Sequence, residues 1–401
     1  MQDPTYLRSM STKGLPDFND TELAFRHLQD GDLKRGKLLF ELLSRPWLVS
    51  IGSFLARVAL FLRFPIGWAV RPTVYAQFCG GESIEESEGT VEMLYSNGVE
   101  TILDYSAEGA KTEDDLDATC EEILKVVAAA NGDKRHAFSV FKLSGLALHC
   151  LLEKQRSKFT TEDNEAWARV ESRIRKICKA TAESGGKVLV DAEESWIQDN
   201  IDLVTEQMMA KFNAERPVVF TTVQLYRHDK LAYLKGLHKR AVEGGFVFGV
   251  KLVRGAYMEK ERERAEKMGY PSPIQPDKAA SDRDYNLAVD FCLENLDVIS
   301  LFAGTHNADS SYALCEKMQK LGLENNDPRI YFSQLLGMSD QITFNLAAHG
   351  YNIAKYVPYG PIREAMPYLI RRAKENTSVE GQTTRELSLI RKETARRSIQ
   401  N

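Results

Sequence analysis

Eight short apolar runs, alternating with stretches of helical periodicity, constrain the fold of this chain more than any other feature. The runs lie at 99–103, 138–143, 187–190, 218–223, 246–253, 299–303, 330–332 and 353–357. They are rich in Val, Ile, Leu and Phe and nearly continuous, the pattern of strands buried on both faces of a parallel sheet. Between them, 112–130, 163–183, 229–242, 282–296 and 310–321 carry apolar residues at three- and four-residue spacing, as amphipathic helices do. About eight βα units over roughly 300 residues fit an α/β fold of the (β/α)8 barrel type better than an open doubly wound sheet. No Gly-x-Gly-x-x-Gly follows any run, which weakens the doubly wound alternative further.

The barrel pattern begins near the Gly80-Gly81 pair, so residues 1–75 are expected to form an N-terminal arm and helices, and 76–401 the barrel with C-terminal helices. Residues 1–36 are polar and weakly periodic, suiting a loose arm or short helices. Segment 47–64 is rich in Leu, Val and Phe but interrupted by Arg57 and Arg63, too short and too charged for a membrane span. A core-packed helix is the reading favoured there; contact with a membrane surface is the alternative.

Overall charge narrows the partners. A formal net charge of −5 supplies no positive field for phosphates and argues against nucleic acid. The six cysteines, at 79, 120, 150, 178, 292 and 315, include no Cys-x-x-Cys pair. They read as reduced thiols, mostly buried and inert, and not as a disulfide frame or zinc site.

The candidate site is centred on Lys355 to Asn376. Pro358, Gly360 and Pro361 break a short strand, and Pro361 suits the first helical position. Ile362, Ala365, Met366, Leu369, Ile370 and Ala373 then mark one buried helix face, with a kink expected at Pro367. Tyr368, Arg371 and Arg372 share a flank of that helix. Two guanidinium groups beside a Tyr can clamp a carboxylate through parallel hydrogen bonds, although cations late in a helix also simply complement its dipole. In a barrel, chemistry sits at the carboxyl ends of the strands. There the chain places Lys142, Asp191, Gln224, Lys251, Arg254 with Gly255, Ala256 and Tyr257, then Thr305, His306 and Asn307, and Tyr356. Singly, each has a structural explanation: Lys142 can snorkel, Asp191 or Asn307 can cap a helix, and Tyr356 can be a core aromatic. Their joint position at one mouth favours a site.

With these residues in view, the chain resembles the proline dehydrogenase (proline oxidase) family, flavoenzymes on a distorted (β/α)8 barrel. The resemblance rests on Phe141-Lys-Leu-Ser144, Asp191-Ala-Glu-Glu194, Lys251-Leu-Val-Arg-Gly-Ala-Tyr257, Thr305-His-Asn307, Ser333-Gln-Leu-Leu-Gly-Met338, and Tyr356-Val-Pro-Tyr-Gly-Pro361 through Tyr368-Leu-Ile-Arg-Arg372. The segment 259–282 reads as a long insertion and, with Lys at 251, looks closer to the monofunctional, eukaryotic-type branch. The resemblance implies FAD at the barrel mouth and oxidation of L-proline to Δ1-pyrroline-5-carboxylate. It implies a carboxylate clamp of Lys142, Arg371 and Arg372, and an apolar wall of Tyr257, Leu335, Tyr356 and Tyr368. Asp191 and Lys251 match the catalytic polar pair. Ala192, Gln224, Arg254, Gly255, Ala256, Thr305, His306 and Asn307 match flavin- and phosphate-contacting positions. Tyr356 points to proline over hydroxyproline, whose dehydrogenases carry a smaller residue there.

The family also implies a membrane quinone as electron acceptor, contacted through 47–64 or through the basic last helix with Arg385, Arg391, Lys392, Arg396 and Arg397. With no room for a second catalytic domain, the product is expected to leave or to pass to a separate pyrroline-5-carboxylate dehydrogenase. The first thirty residues lack a secretory pattern and carry Asp3, Asp17, Asp20, Glu22 and Asp30, unlike an acid-poor transit peptide. The expected location is therefore cytoplasmic, peripheral on the inner membrane at most. Two other readings remain open: a Schiff-base aldolase with Lys142 as nucleophile, and a cofactor-less barrel acting as a binding module.

Overall fold

The computed structural model describes residues 14–62, 64–106, 112–378 and 382–400. Residues 1–13 of the expected arm, and Arg63, lie outside the described residues. All eight apolar runs are strands: β1 Glu100–Tyr105, β2 Ser139–Lys142, β3 Val188–Asp191, β4 Val219–Gln224, β5 Phe248–Val253, β6 Ile299–Gly304, β7 Ile330–Leu335 and β8 Ile353–Tyr359. The sheet order β1-β8-β7-β6-β5-β4-β3-β2 is the circular order of a (β/α)8 barrel read from one seam. The chain divides into two compact units, residues 1–108 with 334–401, and residues 109–333.

In the second unit, β2 to β6 and the start of β7 pair in parallel, each with its neighbour in sequence. The register sets Lys142 beside Asp191 and Thr222 beside Lys251. The ring of Phe138 makes edge contacts with Phe220, Phe302 and Tyr331 at 5.1, 5.0 and 5.1 Å. Lys187 lies over the Phe138 and Tyr331 rings, a cation against this aromatic cluster. Helices start where the sequence supplies caps: Thr112 with Asp115, and Thr160 with Asp163, form reciprocal capping boxes. The segment read as an insertion holds a helix of its own, Met258–Met268, and the following helix, Lys278–Glu294, already begins inside it.

In the first unit, β1 and β8 pair in parallel from Glu100 beside Ala354 to Tyr105 beside Tyr359, and a Gly81–Tyr359 bridge adjoins the ladder. Residues 14–36 are not loose. Thr21–Phe25 and the start of Asp30–Leu43 are helical, and Phe25, Leu33 and Phe40 join Met366, Leu369, Leu387 and Ile390 in one core. The helix Ile362–Ser378 runs through Pro367. Segment 47–64 departs from its favoured reading: in the helix Pro46–Phe61 only Val49 and Ser53 are buried, so it is not core-packed. The basic last helix, Gln382–Gln400, spends its charge internally, with Arg396 on Glu393 and Glu22, Arg397 on Glu393 and Asp30, and Arg391 on Glu41.

Candidate functional site

The strand ends of the second unit gather a charged constellation. Asp191, the last residue of β3, receives Lys251 of β5 in a close ion pair, and the Lys142 ammonium lies 3.6 Å from its other oxygen. Burial by itself would push the Asp191 carboxyl up; the two lysines outweigh it and hold the group below the ordinary carboxylate range. Lys251 is buried, whereas Lys142 is partly open. Asp191 caps no helix, because Glu194 occupies the cap position of Ser195–Phe212.

Glu193, part of a matching motif but given no role from sequence, sits two residues after Asp191. It accepts hydrogen bonds from the Ser144 amide and hydroxyl, and burial pushes its carboxyl up to about 7. Only burial marks it out, and the sequence carries no signal for that.

Arg254, just past β5, is fixed by three partners: Asp282 at 2.6 Å, Thr305 Oγ1 at 2.8 Å and Ser310 Oγ at 2.9 Å. Its guanidinium also stacks 4.4 Å from the Tyr285 ring centre. Asn307 accepts from the Ser310 amide at 3.0 Å and so caps the helix Ala308–Lys320, the structural explanation anticipated for it. Thr305 is buried, and His306 half-buried. Gly255 has φ +138°, and a Cβ there would lie 2.4 Å from the Tyr226 ring. Only glycine can turn the chain at this point, and it leaves the backbone of Gly255 and Ala256 exposed. Tyr257 and Ala192 are half-buried. Gln224 is 2% exposed, and its Oε1 is buried with no hydrogen-bond partner among the described residues. An orphaned buried acceptor calls for a donor from outside the protein.

In the first unit, Tyr368 and Arg372 are buried and Arg371 half-buried on Ile362–Ser378. The Arg372 guanidinium lies 5.3 Å from the Tyr368 ring centre, as the shared flank predicts. Tyr356 on β8 is 6% exposed, and Leu335 ends β7. The loop after Leu335 is held by Lys355, another residue that had no role from sequence. Its ammonium donates to the carbonyls of Leu335 and Met338 and to Asp340, at 3.2, 2.5 and 2.7 Å. Glu386 accepts from the amide of Ser339, whose φ of +54° is left-handed. All six cysteines are free, and only Cys150 is exposed.

Comparison with known proteins follows the same lines. The family profile described as Proline dehydrogenase matches residues 87–385, which include every candidate catalytic, substrate-binding and cofactor-binding residue named above. Proline dehydrogenase 1 of Homo sapiens is 41% identical over 61% of this chain and 42% of its own length. Carbapenem antibiotics biosynthesis protein CarD of Pectobacterium carotovorum is 33% identical over 80% of this chain and 84% of its own. Hydroxyproline dehydrogenase of Xenopus laevis is 30% identical over 93% of this chain and 88% of its own. The fold of proline utilization A (PutA) from Bdellovibrio bacteriovorus superposes with a TM-score of 0.72 at 20% identity, over 96% of this chain and 42% of that one. One expectation is overturned. The relatives from Homo sapiens, Dictyostelium discoideum, Drosophila melanogaster and Arabidopsis thaliana are named mitochondrial proline dehydrogenases, which conflicts with a cytoplasmic location. An acid-rich start says nothing about a leader that the sequence in hand need not include. On the extent of the matched profile and these identities, the chain is an enzyme of the proline dehydrogenase family.

Proposed function

We propose that this chain oxidises L-proline to Δ1-pyrroline-5-carboxylate with FAD as cofactor, passing the electrons on to a membrane quinone. The observation that carries the reading is the family match over 87–385, a range in which all the residues that the resemblance assigns to clamp, wall and polar pair fall. The residues also suit the cofactor. Gln224 offers a buried acceptor with no partner among the described residues, and the exposed turn at Gly255 admits close approach of a pyrophosphate beside a fixed Arg254. Ala192, Ala256, Thr305, His306 and Asn307 complete the proposed cofactor set, with the catalytic barrel taken as 76–401 and 1–75 as an accessory segment. When bound, FAD supplies a two-electron acceptor for the hydride that leaves the proline ring carbon beside nitrogen.

The protein's part is orientation and charge. Lys142, Arg371 and Arg372 are assigned to the substrate carboxylate. Tyr257, Leu335, Tyr356 and Tyr368 are assigned to the carbon edge of the ring, where excluding water protects the hydride step. Lys251 keeps Asp191 ionised, and that pair is assigned to orienting groups at the reacting centre. Lys142 is engaged with a carboxylate, unlike the isolated lysine in an apolar pocket that a Schiff-base aldolase needs. The product is expected to pass to a separate pyrroline-5-carboxylate dehydrogenase.

The hydroxyproline reading has a specific basis in the Xenopus laevis relative. Tyr356 stands where, by the resemblance, hydroxyproline-specific members carry a smaller residue, and the larger side chain favours proline. Absorption spectra of the purified protein before and after each imino acid test both readings. Bleaching of a flavin band by proline, with the higher kcat/KM for proline, is expected. A colourless protein unaltered by added FAD would overturn the cofactor, and a higher kcat/KM for hydroxyproline would overturn the substrate.

A further inference from the structure

The segments that follow β3 and β5 are tied together by contacts to which the assigned chemistry gives no part. Asp191 and Lys251 already pair at the strand ends, although β4 runs between their strands. Further along the same two segments, Glu194 pairs with Lys260, and Glu261 accepts from the Ser195 amide and hydroxyl, each at 2.6 Å. Glu261 is 0% exposed. A carboxylate at that depth is costly unless its hydrogen bonds are made, so the contact holds one geometry.

The helix Ser195–Phe212 has no capping bond from the side chain of Glu194 at its cap position, and no acidic residue in its first turn. Its first amide, an orphan donor at the positive end of the helix dipole, is met instead by a carboxylate 66 residues on. Glu261 lies in the first turn of Met258–Met268, and its own amide donates to the Tyr257 carbonyl at 2.9 Å. The cap therefore joins the short run from Asp191 to Ser195 with the turn that carries Gly255, Ala256 and Tyr257. Tyr226 grips the same turn from the β4 side. Its amide donates to the Arg254 carbonyl at 2.7 Å, and its ring lies against Gly255. Arg264, one turn beyond Glu261, stacks 4.2 Å from the Trp196 ring centre and joins the two helices a second time.

We propose that Glu261 is a positioning residue: by capping Ser195 it fixes the Asp191 segment against the Gly255–Tyr257 turn, and so sets Tyr257 and the Asp191–Lys251 pair for proline oxidation. That role rests on the reaction proposed above, whereas the contact itself can be read with no flavin bound. In the apoprotein, hydrogen exchange is followed by mass spectrometry over peptides spanning 191–197 and 254–262. Glu261→Gln keeps the size of the side chain but loses its charge and one acceptor, so exchange in both peptides should quicken together by roughly tenfold. Ser195→Ala keeps the amide partner and should quicken both by less. In the FAD-loaded enzyme, Glu261→Gln should lower kcat/KM for proline by about tenfold and change the visible circular dichroism of the flavin. Combined with Ser195→Ala, the two losses should fall short of additive, because both act through one contact. A role in stability alone would lower the urea midpoint and leave kcat and KM of the folded enzyme as in the parent, which overturns the proposal. Exchange that quickens in 191–197 but not in 254–262 overturns it as well. Where Glu261→Gln does not fold, Ser195→Ala decides, by the same paired changes or their absence. A parent chain inert to proline would overturn the reaction and the positioning role with it, while the exchange still reports whether the two segments are linked.

Discussion

At the scale of single residues, burial and not residue type separates the groups that matter. Arg372 and Tyr368 stack in a nearly closed setting, where each charge-assisted hydrogen bond to a carboxylate contributes about 1.5–3 kcal/mol net. Replacing the planar fork by a point charge in Arg372→Lys should therefore raise the KM for proline by roughly tenfold, with kcat changed less. Saturation kinetics check this; an unaltered kcat/KM would remove Arg372 from the clamp. Glu193 gives a second residue-scale expectation. Its folded carboxyl titrates near 7, above an unfolded value of 4.5. The group therefore costs nothing below about pH 4.5 and destabilises progressively as pH rises through 7. A rise of that size corresponds to about 3 kcal/mol at most. Glu193→Gln should flatten the dependence of stability on pH between about 4.5 and 7, as urea unfolding at several pH values would report. An unchanged slope would count against it. Strand-end position made Lys142, Asp191 and Lys251 legible in the sequence. Glu193 was not, because nothing in Asp191-Ala-Glu-Glu194 tells which carboxylate loses its water.

At the scale of elements, periodicity located every strand to within about three residues, because buried parallel strands are continuous apolar runs. It missed the helix Met258–Met268 for a physical reason. That helix buries only Glu261 and Ala265, and Glu261 is held by the Ser195 amide and hydroxyl, so there is no apolar stripe to read. The loop from Leu335 to Ser339 was equally opaque. Gly337 has φ +73°, with the Gln77 carbonyl where a Cβ would stand, and Ser339 is left-handed, so the loop depends on its clamps. Lys355 is the central one, 1% exposed and matched by three acceptors. Lys355→Met leaves Asp340 and two carbonyls without their cation, and removing one partner of a buried pair costs about 3–5 kcal/mol. A fall of that order in the free energy of urea unfolding is expected. A loss under about 1 kcal/mol would mean that water replaces the ammonium and the loop is not held as described.

At the scale of the whole molecule, the sequence conveyed a barrel but not which apolar surface would remain uncovered. Segment 47–64 has the composition of a core helix, and composition records only that a face is apolar, not what lies against it. The cofactor poses a related question. Gln224, Arg254 and Gly255 stand at strand ends of one unit: Gln224 keeps a buried acceptor with no partner among the described residues, Arg254 is fixed by its neighbours, and Gly255 turns an exposed stretch of chain beside it. A ligand that binds this arrangement and not the unfolded chain must stabilise it, by about 2.7 kcal/mol at one hundred times its dissociation constant. Apoprotein titrated with FAD should show a thermal midpoint that climbs with concentration and keeps climbing past saturation, as mass action requires. Gly255→Val, which forces a side chain into Tyr226, should abolish the climb, since Val cannot adopt the backbone of that turn without strain. Arg254→Ala should weaken it by about tenfold in concentration, because pyrophosphate loses one charge-assisted partner. A midpoint indifferent to FAD in the parent chain would mean that the strand ends hold some other group, and the assignment of the whole barrel mouth to a flavin would fall with it.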